Sequence, residues 1–95
     1  MIRIALLDDE KDQRDVTASL LERYLSQHPE LSAQVRSFQS GYELLDAVER
    51  SGSFDLYLLD IVMPEQNGIE VGLSIRKLDN LGLIVYLTTS PDYAV

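Results

Sequence analysis

Four positions carry the chemistry that this sequence can offer: the adjacent carboxylates Asp8 and Asp9, the solitary Asp60 and the hydroxyl of Thr88. Asp8 and Asp9 close the apolar run IRIALL (2–7), and Asp60 closes DLYLL (55–59). A carboxylate set against an apolar strand is costly unless a cation or a reaction requires it. If those two runs are neighbouring strands, about 4.8 Å apart, the acids meet on one rim and hold one another's pKa up. A bound Mg²⁺ removes that conflict, because a hard cation takes carboxylates, a backbone carbonyl and waters as ligands. The plainer account is that Asp8, Asp9 and Glu10 only favour the start of a following helix, where acids are stabilising. That account leaves Asp60 unexplained.

Asp60 is followed by IVMPEQNG, in which Pro64 and Asn67-Gly68 reshape the backbone just past the carboxylate. The acid is thereby expected to face solvent beside the metal. A carboxylate placed there suits nucleophilic attack on phosphorus, with the ion neutralising the phosphoryl oxygens. Thr88 ends the run LIVYLT (83–88), and its hydroxyl is able to donate a hydrogen bond to a phosphoryl oxygen on Asp60. Threonine is common in strands, so this position alone says little.

The elements that must position these groups alternate along the chain. Strands are read at 2–7, 33–38, 55–59 and 83–88. A first helix over about 11–27 offers Val16, Leu20, Leu21, Tyr24 and Leu25 as its apolar stripe, and Pro29 stops it. Ser40 is the expected cap of a second helix, with Glu43 as its capping-box partner, Leu44, Leu45 and Val48 inward, and SGS (51–53) at its end. A third, over 68–78, offers Ile69, Val71, Ile75 and Leu78, with Gly72 letting it approach the sheet; DNLG (79–82) is a turn. Another helix is expected to start in SPDYAV. Strand–helix alternation of this kind implies an α/β, doubly wound parallel sheet with right-handed crossovers and helices on both faces. In such sheets ligands gather beyond the carboxyl ends of the strands.

Composition sets the outer limits. A chain of 95 residues with 45% hydrophobic and 25% charged residues is one ordinary globular domain or part of one. It has no cysteine, which excludes disulfides and thiolate chemistry and suits a reducing cytoplasm. No apolar run approaches the ~18 residues that span a bilayer, and the N-terminus is not a signal peptide. A net charge of -8 argues against this segment binding nucleic acid and suits one that collects a divalent cation or meets a basic partner. The single histidine, His28, is read as meeting helix-end carbonyls. Tyr57 and Tyr86 are expected in or near the core, Tyr42 and Tyr93 at the surface.

With Asp8, Asp9, Asp60, Met63-Pro64, Asn67-Gly68 and Thr88 in this order, the chain resembles a response-regulator receiver domain of two-component signalling over its whole length. The resemblance implies a flavodoxin-like sheet with strand order 2-1-3-4. It implies Asp60 as phosphoacceptor, Asp9 as direct Mg²⁺ ligand, Asp8 as a ligand through water, the main-chain carbonyl of Val62 as a further ligand, and Thr88 as the switch hydroxyl. A sensor histidine kinase is the implied phosphodonor, and the protein is not a turnover enzyme. DIVMPEQNGIE, IRKL and LTTSPDYAV are similar to receivers of the LytTR class, which precede a DNA-binding output domain.

The chain departs from that pattern where it stops. A receiver continues through a fourth helix, a fifth strand with a Lys-Pro pair and a fifth helix, so residues 1–95 read as a receiver incomplete at its C-terminus. The lysine that pairs with the acceptor is then missing, and neither Lys11 nor Lys77, both read as solvated, is assigned to that role. Metal binding is expected to survive while phosphorylation and its readout are impaired. The run 83–88 becomes an open apolar edge that invites pairing with a second copy. Two other classes are set against this reading. A haloacid-dehalogenase-type phosphatase seeks a second aspartate two residues after the first, where Val62 stands, and a nucleotide or flavin binder wants a Gly-rich turn after the first strand. The closer rival is a non-phosphorylated receiver that serves only as an interaction module.

Overall fold

A computed structural model describes residues 1–64 and 66–87. In chain order they form β1 (Ile2–Leu7), α1 (Lys11–Ser26), β2 (Ala33–Phe38), α2 (Gly41–Ser51), β3 (Leu56–Asp60), α3 (Gly68–Leu78) and β4 (Leu83–Leu87). The strands are all parallel in the order β2-β1-β3-β4, the order the sequence implies. The β3 boundaries fall one residue later than expected, so Asp60 is itself the last strand residue, paired with Leu87. The expected helix after β4 lies outside the described residues, as does Tyr93.

Period-two alternation divides the sheet between two cores. Ala5, Leu7, Tyr57 and Leu59 face α2 and α3 and pack with Phe38, Leu44, Val71 and Ile75. Ile4, Leu6 and Leu58 face the other way, toward Ala18, Leu21 and Leu25 of α1. The central strands β1 and β3 are apolar on both sides, whereas β2, on the edge, alternates.

The helices differ from expectation in which residues they bury. In α1, Leu21 and Leu25 meet the sheet, but Val16, Leu20 and Tyr24 are exposed. Residues 16, 20 and 24 form a row of their own, rotated well away from the row through Ala18 at about 100° per residue. In α3 the inward row is Gly68, Val71, Gly72 and Ile75, leaving Ile69 and Leu78 outside. Gly72 permits close packing: a Cβ there would strike the Tyr86 hydroxyl, which crosses the helix from β4, unless that ring moved. Tyr86 is therefore a partly exposed cover rather than a core residue, while Tyr57 is wholly buried and Tyr42 lies at the surface.

Caps and turns follow local chemistry. The Ser40 hydroxyl accepts from the Glu43 N–H (3.2 Å). Glu43 completes no capping box with Ser40; its carboxylate takes the Gln39 N–H (3.5 Å) and side-chain amide (3.3 Å) instead. Asn67 caps α3, accepting from the Glu70 N–H at 3.0 Å, so Asn67-Gly68 is a helix start rather than a free turn. The turn at 79–82 is organised by a buried acid: Asp79 accepts from Leu81 N–H (3.0 Å), Gly82 N–H (3.2 Å) and the Tyr57 hydroxyl (2.8 Å). Burial alone would raise the Asp79 carboxyl, but these donors and the Arg76 charge hold it below its ordinary value. His28, just past α1, stacks on Tyr24 and faces Glu30 at 3.2 Å, not the helix-end carbonyls.

Candidate functional site

The parallel register makes the site. Leu7 pairs with Leu59, so the next residues along each strand, Asp8 and Asp60, emerge side by side at the carboxyl rim. Asp9 follows on the turn into α1. Ligand oxygens of Asp8, Asp9 and Asp60 lie within 4.8 Å of one another, the convergence that the spacing predicts. Asp8 and Asp60 are 5% and 7% exposed, while Asp9 is open to solvent; Asp60 is therefore buried at the rim rather than facing solvent as the sequence suggests.

Each strand ends in the same local device. Asp8 Oδ1 accepts from the N–H of Glu10 (3.0 Å), and Asp60 Oδ1 accepts from the N–H of Val62 (3.2 Å). An aspartate that bonds the N–H two residues on turns the chain and fixes its own carboxylate. Gly68 completes the wall: its position lies so close to the Asp60 carbonyl that a Cβ would overlap the oxygen. The Gly68 N–H also donates to the Ile61 carbonyl at 3.0 Å. The residue pattern marks Gly68 as part of a turn and as the start of the third helix but not as a wall of the site, and it gives no sign of Arg14, whose guanidinium donates to the Asp8 carbonyl at 2.8 Å. The signal for Gly68 was present in IVMPEQNG; for Arg14 there was none beyond its place one turn into a helix.

The electrostatics are those of a crowded anion site. Burial pushes the Asp60 carboxyl up to about 6, the Asp8 and Asp9 charges add to the rise, and the Val62 N–H opposes it. Among the described residues no ion pair reaches these three carboxylates; Lys11 pairs with Asp15 and Arg50 with Asp46. Lys11 and Lys77 are both at the surface, as expected. Hard oxygen donors converging without a balancing cation fit a divalent ion such as Mg²⁺. A cleft of about 270 Å³ opens beside Asp9, lined by Gln39, Tyr42, Met63, Pro64 and Gln66 among others, and admits small molecules to the rim. Thr88 lies outside the described residues; β4 is described as far as Leu87, opposite Asp60. Val62 is half-exposed, with its N–H turned to Asp60.

Comparison with known proteins gives a consistent picture. Residues 4–95 match the family model of the response regulator receiver domain. The chain is 34% identical over 76 residues to probable histidine kinase 4 of Oryza sativa subsp. japonica, covering 80% of this chain and 7% of that protein. It is 26% identical over 89 residues to accessory gene regulator protein A of Staphylococcus aureus, covering 93% and 37%. The chain thus spans well under half the length of these curated relatives. The crystal structure of response regulator protein TrrA from Thermotoga maritima in complex with Mg(2+)-BeF is 34% identical, with a TM-score of 0.75 over 98% of this chain and 74% of that one.

Proposed function

Because this chain belongs to the response regulator receiver domain family, we propose that it accepts a phosphoryl group on Asp60 from a sensor histidine kinase. The observation that carries the reading is the convergence of Asp8, Asp9 and Asp60 within 4.8 Å at the carboxyl rim of a parallel sheet. TrrA, its structural relative, has also been seen in complex with the histidine kinase ThkA, which supports the class of donor.

In this reading Asp9 would hold Mg²⁺ directly, Asp8 would do so through water, and Asp60 and the Val62 carbonyl would complete the protein's share. The ion, when bound, supplies charge neutralisation for phosphoryl oxygens. Asp60 provides the attacking oxygen: a bond forms from its carboxylate to phosphorus as the bond to the donor's leaving group breaks. The Val62 N–H holds one oxygen of that carboxylate, and Gly68 packs against the Asp60 main-chain carbonyl behind it. The new group carries about two negative charges in place of the carboxylate's one, with strong acceptor oxygens, toward which the Thr88 hydroxyl is drawn. The chain stores one phosphoryl group rather than turning over substrate. Its proposed setting is the cytoplasm and its proposed output is transcription, through a LytTR-type DNA-binding domain outside residues 1–95.

Acetyl phosphate with Mg²⁺, followed by intact mass, tests the acceptor. A single phosphoryl adduct in low, incomplete yield is expected on the wild type, lost with EDTA and lost in Asp60→Asn. An adduct of equal yield in Asp60→Asn would refute the assignment. Mg²⁺ binding with no adduct at all would favour the interaction module.

Self-association through β4 is part of the proposal. Leu83, Val85 and Tyr86 are 61%, 37% and 40% exposed, on a strand whose outer edge is unpaired among the described residues. Light scattering at rising concentration is expected to show a dimer that Val85→Lys weakens; a strictly monomeric chain would remove this element.

A further inference from the structure

Asp8 is held from three directions. Its N–H donates to the Phe38 carbonyl of β2 at 3.1 Å. Its Oδ1 accepts from the Glu10 N–H at 3.0 Å. Its carbonyl accepts from Arg14 Nη1 at 2.8 Å. The first two bonds are what a strand end and a tight turn provide. The third is a side chain of α1 reaching back six residues across the β1–α1 turn.

Arg14 is well placed to act as a clamp. Its own N–H donates to the Glu10 carbonyl at 2.9 Å, which roots it in the first turn of α1. Its side chain is half-buried, unlike Lys11, which is exposed and taken by Asp15. The carbonyl it grips belongs to the peptide that joins Asp8 to Asp9. The described residues give the exposed Asp9 carboxylate no hydrogen bond of its own, so its position depends on the orientation of that peptide. A guanidinium offers several donors in a rigid plane and keeps its charge at any working pH.

We propose that Arg14 is a positioning residue of the phosphoryl-acceptor site, clamping the Asp8–Asp9 peptide so that both carboxylates meet the divalent ion beside Asp60. This rests on the receiver reading and deepens it. Arg14 touches neither metal nor phosphoryl group; it acts through the backbone.

The sign of the effect separates positioning from plain electrostatics. A positive charge near a divalent cation repels it, so removing Arg14 would tighten Mg²⁺ if charge were all that mattered. Loss of a group that orients metal ligands instead weakens binding by about tenfold or more. Mg²⁺ affinity is to be measured by calorimetry on the whole chain for wild type, Arg14→Met and Arg14→Lys. Methionine keeps the aliphatic stem and removes donor and charge; lysine keeps a donor and the charge. Arg14→Met is expected to bind about tenfold more weakly, with Arg14→Lys recovering most of the loss. In EDTA, amide hydrogen exchange at Asp9 and Glu10 is expected to quicken in Arg14→Met while exchange in α3 does not, a readout that needs no metal and shows the fold intact.

The proposal is overturned if Arg14→Met binds Mg²⁺ as tightly as wild type or more tightly, or if Arg14→Lys is no better than Arg14→Met. A wild type that binds Mg²⁺ and takes label on Asp60 while Arg14→Met matches it refutes the clamp alone. A wild type that neither binds Mg²⁺ nor takes label refutes the receiver reading and the clamp with it.

Discussion

Replacing Asp60 by asparagine is expected to stabilise the metal-free protein near neutral pH, the reverse of the usual effect of altering a buried residue. Asp60 is 7% exposed, and burial, reinforced by the Asp8 and Asp9 charges, raises its carboxyl from 3.8 to about 6. In the unfolded chain it titrates near the ordinary ~3.9. Between about pH 4 and pH 6 the folded state therefore holds more protons than the unfolded one. Stability falls as pH rises through that window and stays lower above it. At ~1.36 kcal/mol per pH unit the rise to about 6 amounts to about 3 kcal/mol, an upper figure because solvent at the rim screens the repulsion. Asparagine has the same shape and still accepts from the Val62 N–H, but carries no charge. Urea unfolding followed by circular dichroism in EDTA is expected to show Asp60→Asn more stable by about 1–3 kcal/mol at about pH 7.5. That gain should shrink as pH falls through about 6 and approach zero only below about pH 4, where the wild-type carboxyl is protonated in both the folded and the unfolded chain. Excess Mg²⁺ should stabilise the wild type and add little to the variant. A variant less stable than wild type at neutral pH in EDTA, or a difference that ignores pH, would refute the account of a strained anion cluster.

Three substitutions give further structural predictions. Asp79→Ala strips the acceptor from the Leu81 and Gly82 N–H groups and from the buried Tyr57 hydroxyl, at an expected cost of about 2–4 kcal/mol by urea unfolding. Because Asp79 is held below its ordinary pKa, its own contribution is present above about pH 4 and lost as pH falls through the folded value. Gly68→Ala sets a methyl against the Asp60 carbonyl, backbone that cannot turn aside, and should cost about 2–3 kcal/mol and slow labelling of Asp60. Gly72→Ala meets only the partly exposed Tyr86 side chain, which is free to swing outward. The better helix propensity of alanine, ~1 kcal/mol, offsets most of that rearrangement; calorimetric melting separates the two glycines.

What could be read from residue order was whatever rests on local chemistry or on period. Apolar runs placed β1 and β2 to the residue, because a doubly buried or alternating strand shows itself in composition. Ser40 announced its helix through the bond its hydroxyl makes. The acidic site was legible for a similar reason: carboxylates that interrupt oily runs have few purposes, and strand alternation brings their ends to one rim. The inward faces of α1 and α3 were harder. Val16, Leu20, Ile69 and Leu78 are as apolar as residues that are buried, and only the angle at which each helix lies on the sheet decides which row touches it.

By itself the sequence determined the parallel α/β order, the three converging aspartates and the family to which the chain belongs. Tertiary structure alone decided that Asp79 is a buried bracket under Tyr57, that the Tyr86 hydroxyl lies over Gly72, and that Arg14 grips the Asp8 carbonyl. The reason is range. Hydrophobic period and Asx turns act over a few residues and leave their mark in residue order. A hydroxyl meeting a carboxylate 22 residues away is set by how helices and strands come to rest against one another.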